Sequence, residues 1–273
     1  MKTWITLISL ISTCCTKAQV LHNLFSTYYN SVVACSNAGT DASSFLINPA
    51  ALAALRHASA AFYSEQKFLL KELSGGSASF ALPGAGGGLG AALGVTGAAN
   101  YSNAQAALAY GKALGKQISL GVQINYHLLH IAGYGNSAAT SFNLGCIIHA
   151  TDKLFTGVAV SNPVGGKFTA SADDKLPAIY TLLMGWEPSE NLVLCMLTKK
   201  TENLPVDVLF SLQYSFVSQF FVRAGTTTAS PNFFAGVGLH WKGIRVDLVG
   251  NYHFQLGATP AIQLIIQPQN GGQ

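Results

Sequence analysis

Five ionisable residues are the part of this sequence whose types and spacing are suited to chemistry. Only 10% of the 273 residues are charged, against a usual share of about 25%. The five lie late in the chain and on the polar side of alternating segments: Asp207, Arg223, His240, Arg245 and Asp247. Charged groups that face one enclosed interior pair with each other or line a path for water.

The last four of these residues form a candidate cluster. Arg223, His240, Arg245 and Asp247 map to the same half of three consecutive segments. One interpretation is an ion-pair network that holds the wall of the fold or an N-terminal segment. The alternative is a constriction that selects solutes.

Other signals for chemistry are weak. The seven histidines show no metal-ligand spacing, and His127 and His253 fall on segments that we expect to lie far apart. The glycine-rich stretch 84–90 is followed by an alternating segment, whereas a nucleotide-binding loop opens a helix. The sequence therefore predicts no catalytic residue, no metal and no cofactor. We expect a protein that is not an enzyme.

The segments that must position these residues alternate with period two. From Ala58 to Pro268 the chain repeats about fourteen times a unit of about ten alternating residues followed by a turn. In the clearest copy, 117–128, every second residue is apolar and the others are polar or small. Side chains of a strand point to opposite faces in turn, so each segment has one apolar and one polar face.

A closed antiparallel β-barrel of about fourteen strands is the all-β fold that this pattern predicts. The strands are predicted at 58–65, 77–82, 88–96, 103–111, 116–129, 138–150, 153–161, 177–187, 190–200, 205–216, 218–228, 231–241, 243–254 and 259–267. Short and longer connections alternate along the chain. Bacterial barrels have short periplasmic turns and longer outer loops, which puts both chain ends in the periplasm.

Hydropathy favours a transmembrane barrel in the outer membrane of a Gram-negative bacterium. The mean hydropathy is +0.34, yet the mature chain has no apolar run of about 18 residues. Aromatic side chains are expected to face lipid near the short turns, at Phe80, Tyr110, Trp186, Tyr214, Phe216, Phe220 and Trp241, with Tyr126 and Tyr252 near the other rim. The lipid bilayer is therefore the predicted partner. No basic stripe with interleaved aromatic residues indicates nucleic acid.

The chain divides into four parts. Residues 1–18 resemble a signal peptide cleaved after Ala18, with Cys14 and Cys15 leaving a lipoprotein alternative. Residues 19–57 form a periplasmic or plug segment, with a helix predicted over 20–33 and a short helical turn over 50–55. The barrel covers 58–268, and 269–273 is a disordered tail.

Two motifs in the plug segment carry a family resemblance. Asp41-Ala42-Ser43, followed by Asn48-Pro49-Ala50-Ala51-Leu52, resembles the entry motif of the PorV/PorQ family, which are FadL-like outer-membrane barrels of fourteen strands. Further pieces resemble the same family in order along the chain, at 176–177, 186–192, 221–225, 234–239 and 256–257. The family positions in the first motif are Asp41, Asn48, Pro49 and Ala50.

The resemblance implies an accessory or scaffold role in type IX protein secretion, with other outer-membrane or periplasmic secretion components as partners. The chain departs from the family in its trimmed outer loops, in Ala51 where glycine is usual, and in its glutamine-rich end. The alternatives are a FadL-like passive transporter of small or hydrophobic solutes and a structural barrel without cargo. A continuous path through the lumen or a gap beside the segment 88–94 would favour transport, whereas a filled lumen would argue against it.

Overall fold

The computed structural model describes residues 27–34, 36, 40–168, 175–229 and 232–268. The predicted signal peptide, its lipoprotein alternative and the predicted tail lie outside these residues.

The alternating segments form a closed antiparallel barrel of fourteen strands, as predicted. The strands are β1 Ser59–Gln66, β2 Ser74–Gly84, β3 Gly87–Ala98, β4 Tyr101–Leu114, β5 Ile118–Ile131, β6 Gly135–His149, β7 Leu154–Ser161, β8 Ile179–Ser189, β9 Leu192–Thr201, β10 Val206–Val217, β11 Phe220–Thr227, β12 Asn232–Trp241, β13 Ile244–His253 and β14 Gly257–Ile266. β1 pairs with both β2 and β14. Closure gives every strand a paired neighbour on both sides.

Several strands are longer than the alternation predicts. β2 begins at Ser74 rather than at residue 77, and β3 and β4 stay paired up to Ala98 and Tyr101. The added residues at these strand ends are mostly small or polar. A backbone ladder continues through such residues without the apolar alternation that marks a strand in the sequence.

The two faces of the wall separate as the period-two pattern predicts. In β5, exposed and buried residues alternate from Ile118 to Leu128. Polar side chains on the inner face are buried, whereas large apolar side chains on the outer face are 36% or more exposed. The nine aromatic residues predicted to face outward are all exposed: Phe80, Tyr110, Tyr126, Trp186, Tyr214, Phe216, Phe220, Trp241 and Tyr252.

The barrel has two unlike ends. We call the end where β1 begins and β14 ends the terminal rim, and the opposite end the far rim. The longest connection, 162–178, lies at the far rim between β7 and β8. No helix within the described residues is long and apolar enough to cross a membrane.

The N-terminal segment lies inside the barrel. Helix α1, Thr27–Ala34, packs against β9 to β12, and the 3₁₀ helix Pro49–Ala54 packs against β2 to β6. A second 3₁₀ helix, Ser44–Leu46, lies between them in the chain. Tyr29 and Val32 of α1 are 0% exposed, so this helix takes the plug position, one of the two that the sequence left open. Residues 20–26 of the helix predicted over 20–33 lie outside the described residues. We call the described residues from 27 to 57 the plug.

A row of glycines makes room for the plug. Gly88, Gly111, Gly121 and Gly145 are successive cross-strand partners on the inner faces of β3 to β6. A Cβ added to Gly121 would collide with the backbone of Pro49 and Ala50, and one on Gly111 would lie 2.7 Å from the Pro49 carbonyl oxygen. The missing side chains let the 3₁₀ helix Pro49–Ala54 lie directly on the wall.

The wall is continuous beside the glycine-rich strand. β3 pairs without interruption with β2 from Gly75 to Gly84 and with β4 from Tyr101 to Gly111. β6 pairs with β7 only from Asn143 to His149. Beyond that point the long connection comes alongside β6, where the Asn162 N–H donates to the Phe142 carbonyl at 2.7 Å.

Candidate functional site in the lumen

Strand register brings three of the predicted ionisable residues together. Arg223 of β11 pairs with Gly236 of β12, and Asp247 of β13 pairs with Gly238. Inward-facing glycines on β12 leave no side chain between β11 and β13. Arg223 and Asp247 therefore meet across the intervening strand.

These residues form an ion cluster with a fourth member from the plug. Arg223 Nη1 lies 3.7 Å from Asp247 Oδ2, and Arg245 Nε lies 3.2 Å from Asp247 Oδ1. Arg245 Nη2 lies 3.0 Å from Asp41 Oδ2. We define the ion cluster as Asp41, Arg223, Arg245 and Asp247. It links the plug to the wall, and its two guanidinium groups balance its two carboxylates.

Further contacts surround the Arg223 guanidinium. Arg223 Nε donates to Gln213 Oε1 at 2.7 Å, and its guanidinium carbon lies 4.8 Å from the ring centre of Tyr29 and 4.7 Å from that of Phe221. Burial raises the pKa of the Tyr29 phenol to about 12. The phenol is therefore neutral and leaves the charge balance of the ion cluster unchanged. Buried charges need such pairing because isolated ones lose their hydration.

His240 lies outside this arrangement. It is the cross-strand partner of Arg245, but among the described residues its imidazole takes part in no ion pair. Asp207 is also separate: its Oδ1 accepts the Ala229 N–H at 2.9 Å near the far rim. Sequence reasoning missed that Asp41, assigned to the family motif, completes the cluster.

Asp41 uses its two carboxylate oxygens for different purposes. Oδ1 accepts the Ser43 N–H at 2.8 Å and the Ser43 hydroxyl at 2.5 Å, while Oδ2 faces Arg245. The first pair of bonds is an aspartate turn that fixes the local backbone. The turn at Asp41-Ala42-Ser43 therefore fixes the position of the Asp41 carboxylate that pairs with Arg245.

Asn48 anchors the opposite side of the plug. Its Oδ1 accepts the Ala50 N–H at 3.0 Å and so caps the 3₁₀ helix that Pro49 opens. Its Nδ2 donates to the carbonyls of Cys146 at 3.2 Å and Val158 at 3.3 Å, on β6 and β7. An asparagine side chain has both the acceptor and the donors that this double role needs.

Between these anchors the plug and the wall close the terminal half of the lumen. Phe45 is 0% exposed, and a Cβ added to Gly90 would lie 3.0 Å from its ring. Further towards the far rim, polar side chains of β4 to β6 bond to one another. Asn125 accepts from Gln123 at 2.6 Å and donates to Ser141 at 3.3 Å. At this level Asn125 is only 1% exposed.

The ion cluster joins the plug to the wall through paired charges. Across the part of the chain that the structure describes, no set of three His, Cys, Asp or Glu side chains could hold a metal ion. What the geometry can do is hold the plug in place and, if its ion pairs part, release it.

Comparisons with known proteins identify the architecture. No protein-family model matches the chain, and no curated protein matches it in sequence. The toluene transporter TodX of Pseudomonas putida aligns with a TM-score of 0.59 at 10% identity, over 86% of this chain and 96% of that one. The toluene transporter TbuX of Ralstonia pickettii aligns with a TM-score of 0.59 at 9% identity, over 83% of this chain and 92% of that one.

A FadL homologue of Pseudomonas aeruginosa aligns with a TM-score of 0.51 at 12% identity, over 84% of this chain and 93% of that one. At these identities the likeness concerns the fold alone. The chain has the fold of the FadL-like outer-membrane channels.

Proposed function

We propose that this chain is a non-enzymatic outer-membrane channel for the passive passage of small hydrophobic solutes. The observation that carries the proposal is the fourteen-strand barrel, which aligns with toluene transporters over more than four fifths of the chain. For this reason we prefer transport as the function over the accessory role in type IX secretion that the PorV/PorQ resemblance favoured.

The route that we propose runs along the lumen. Both hydrogen-bond ladders of β3 are continuous, so the gap that would let a solute leave sideways at the segment 88–94 is not present. The route that we propose therefore passes the plug. We propose that the plug leaves the wall at the ion cluster, because the contact on β3 to β6 is a close backbone fit, whereas the contact on β13 is one Arg245–Asp41 ion pair.

Uptake of radiolabelled toluene by Gram-negative host cells tests this function. Cells that make the full chain are expected to take up toluene faster than cells with an empty vector, whose outer membrane slows hydrophobic solutes. Heat-dependent migration on gels of the outer-membrane fraction provides the control for a folded barrel. Equal uptake rates in the presence of a folded barrel would contradict the proposal.

A second candidate function is favoured by the closed lumen. A barrel whose plug is buried and whose wall is continuous beside β3 suits a scaffold that contacts other proteins, as the PorV/PorQ resemblance implies. Its partners would be outer-membrane or periplasmic secretion components. Affinity purification from the native outer membrane tests this role, and recovery of no secretion component would count against it.

A further inference from the structure

A pocket of about 490 Å³ opens at the terminal rim, apart from the ion cluster. It lies between the end of the 3₁₀ helix Pro49–Ala54 and the turns that join β4 to β5 and β6 to β7. The side chains that matter here are Leu55, Arg56, Lys116, His149, Thr151 and Asp152. Three separate parts of the chain therefore meet around one space.

The pocket carries an excess of positive charge. Arg56 follows the plug helix and Lys116 belongs to the β4–β5 turn, and within the described ranges neither forms an ion pair. Asp152 is the one acidic residue of the lining. Two unpaired cations from different elements, opposed by one carboxylate, attract an anion.

Thr151 adds a hydrogen-bond donor. Its Oγ1 accepts the backbone N–H groups of Lys153 at 3.2 Å and Leu154 at 3.0 Å. A hydroxyl that accepts two bonds still has its own hydrogen to donate. The turn between β6 and β7 thus holds this oxygen in place beside the space where an anion would bind.

Part of the pocket lining is apolar. Ala53, Ala54 and Leu55 contribute it. We propose that this terminal-rim pocket binds a small organic carboxylate, with the carboxylate between Arg56 and Lys116 and its apolar body against Leu55. The planar guanidinium of Arg56 matches both oxygens of a carboxylate. The proposal does not depend on the channel function.

Calorimetric titration of the purified full chain in detergent tests the proposal, with benzoate as the probe. Wild type is expected to bind benzoate more tightly than acetate or inorganic phosphate, and to show no binding of benzyl alcohol, which has the same ring but no charge. R56Q and K116Q should each weaken benzoate binding by about three- to fivefold, the range for an exposed charge pair. D152N should strengthen it by a similar factor.

Lys112 provides the matched control. It lies on β4, pairs with the outward-facing Leu120 and is not part of the pocket. K112Q removes the same charge and should leave benzoate binding unchanged. The proposal is overturned if wild type binds benzoate no better than benzyl alcohol, if phosphate binds more tightly than benzoate, or if K112Q weakens binding as much as R56Q. The gain expected from D152N cannot arise from misfolding.

Discussion

Two sides of the barrel hold the same plug by different means. On β3 to β6 the plug backbone lies on the glycine row, and Asn48 adds two hydrogen bonds to β6 and β7. On the other side helix α1 packs against β9 to β12, and Asp41 meets Arg245 of β13 at 3.0 Å. The first contact depends mainly on shape. The second includes a pairing of charges that can part, so we infer that the plug is fixed on the first side and releasable, at Asp41, on the second.

The largest effect is expected from removing the positive charge on the releasable side. R245Q leaves the buried carboxylates of Asp41 and Asp247 without their shared partner. Removing one member of a buried ion pair costs about 3–5 kcal/mol. Denaturant unfolding in detergent, followed by tryptophan fluorescence, should show this loss, and toluene uptake should rise because the plug is freed.

His240 supplies the control for that variant. It pairs with Arg245 across the strands but takes part in no ion pair within the described residues. H240Q should leave both stability and uptake close to wild type. Equal losses in H240Q and R245Q would mean that the rim as a whole, and not the ion cluster, holds the plug.

A methyl group on the glycine row should have the next largest effect. In G121A the new Cβ collides with the backbone of Pro49 and Ala50, and neither the plug backbone nor the wall can move freely. Overpacking of this kind costs about 1–3 kcal/mol. The same unfolding measurement applies.

Gly250 is the matched position on the outer face. A Cβ there would meet only the Ala235 carbonyl oxygen, at 4.0 Å. G250A should therefore change the free energy of unfolding by less than about 0.5 kcal/mol, as surface substitutions usually do. If G121A is equally harmless, the glycine row does not determine how the plug fits.

A smaller loss is expected at Asn48. N48A removes the helix cap and the two hydrogen bonds to Cys146 and Val158. Loss of a capping side chain costs about 1–2 kcal/mol. N48D keeps the capping oxygen but sets a carboxylate against the Cys146 and Val158 carbonyls, so it should lose at least as much stability as N48A. A smaller loss in N48D than in N48A would mean that the cap outweighs the wall contact.

The smallest effect is expected at Ser43. S43A removes the hydroxyl that donates to Asp41 Oδ1 but keeps the backbone N–H bond to the same oxygen. A single hydrogen bond contributes about 0.5–1.5 kcal/mol net, and the retained N–H bond to the same oxygen keeps the loss near the lower end. Uptake should stay near wild type because the Arg245 pair is intact. Toluene uptake in S43A as high as in R245Q would contradict the assignment of Asp41 Oδ1 to the local turn and Oδ2 to the ion pair with Arg245.

Alternation of side chains was enough to predict the wall. Apolar and polar residues alternate from Ile118 to Leu128 because one face meets the outside and the other the lumen, and this pattern is local. The same rule placed Arg223, Arg245 and Asp247 on the inner face of neighbouring strands. It could not exclude His240, which alternates in the same way and pairs with Arg245 but takes part in no ion pair among the described residues.

The contents of the lumen could not be predicted in the same way. In the sequence, glycines in the alternating segments indicate only small residues on the polar face. Their use as a seat for the plug depends on Gly88, Gly111, Gly121 and Gly145 coming into register on four strands. Register across strands is not visible in any single segment.

The sequence by itself therefore determined the number of strands, the face to which each side chain points and the residues able to carry charge inside. These depend on local periodicity and on turn spacing. Only the tertiary structure decided that Asp41 meets Arg245, that Asn48 bonds to β6 and β7, and that the glycine row receives the plug. Each of these contacts joins residues far apart in the chain, and barrel closure and strand register alone bring them together.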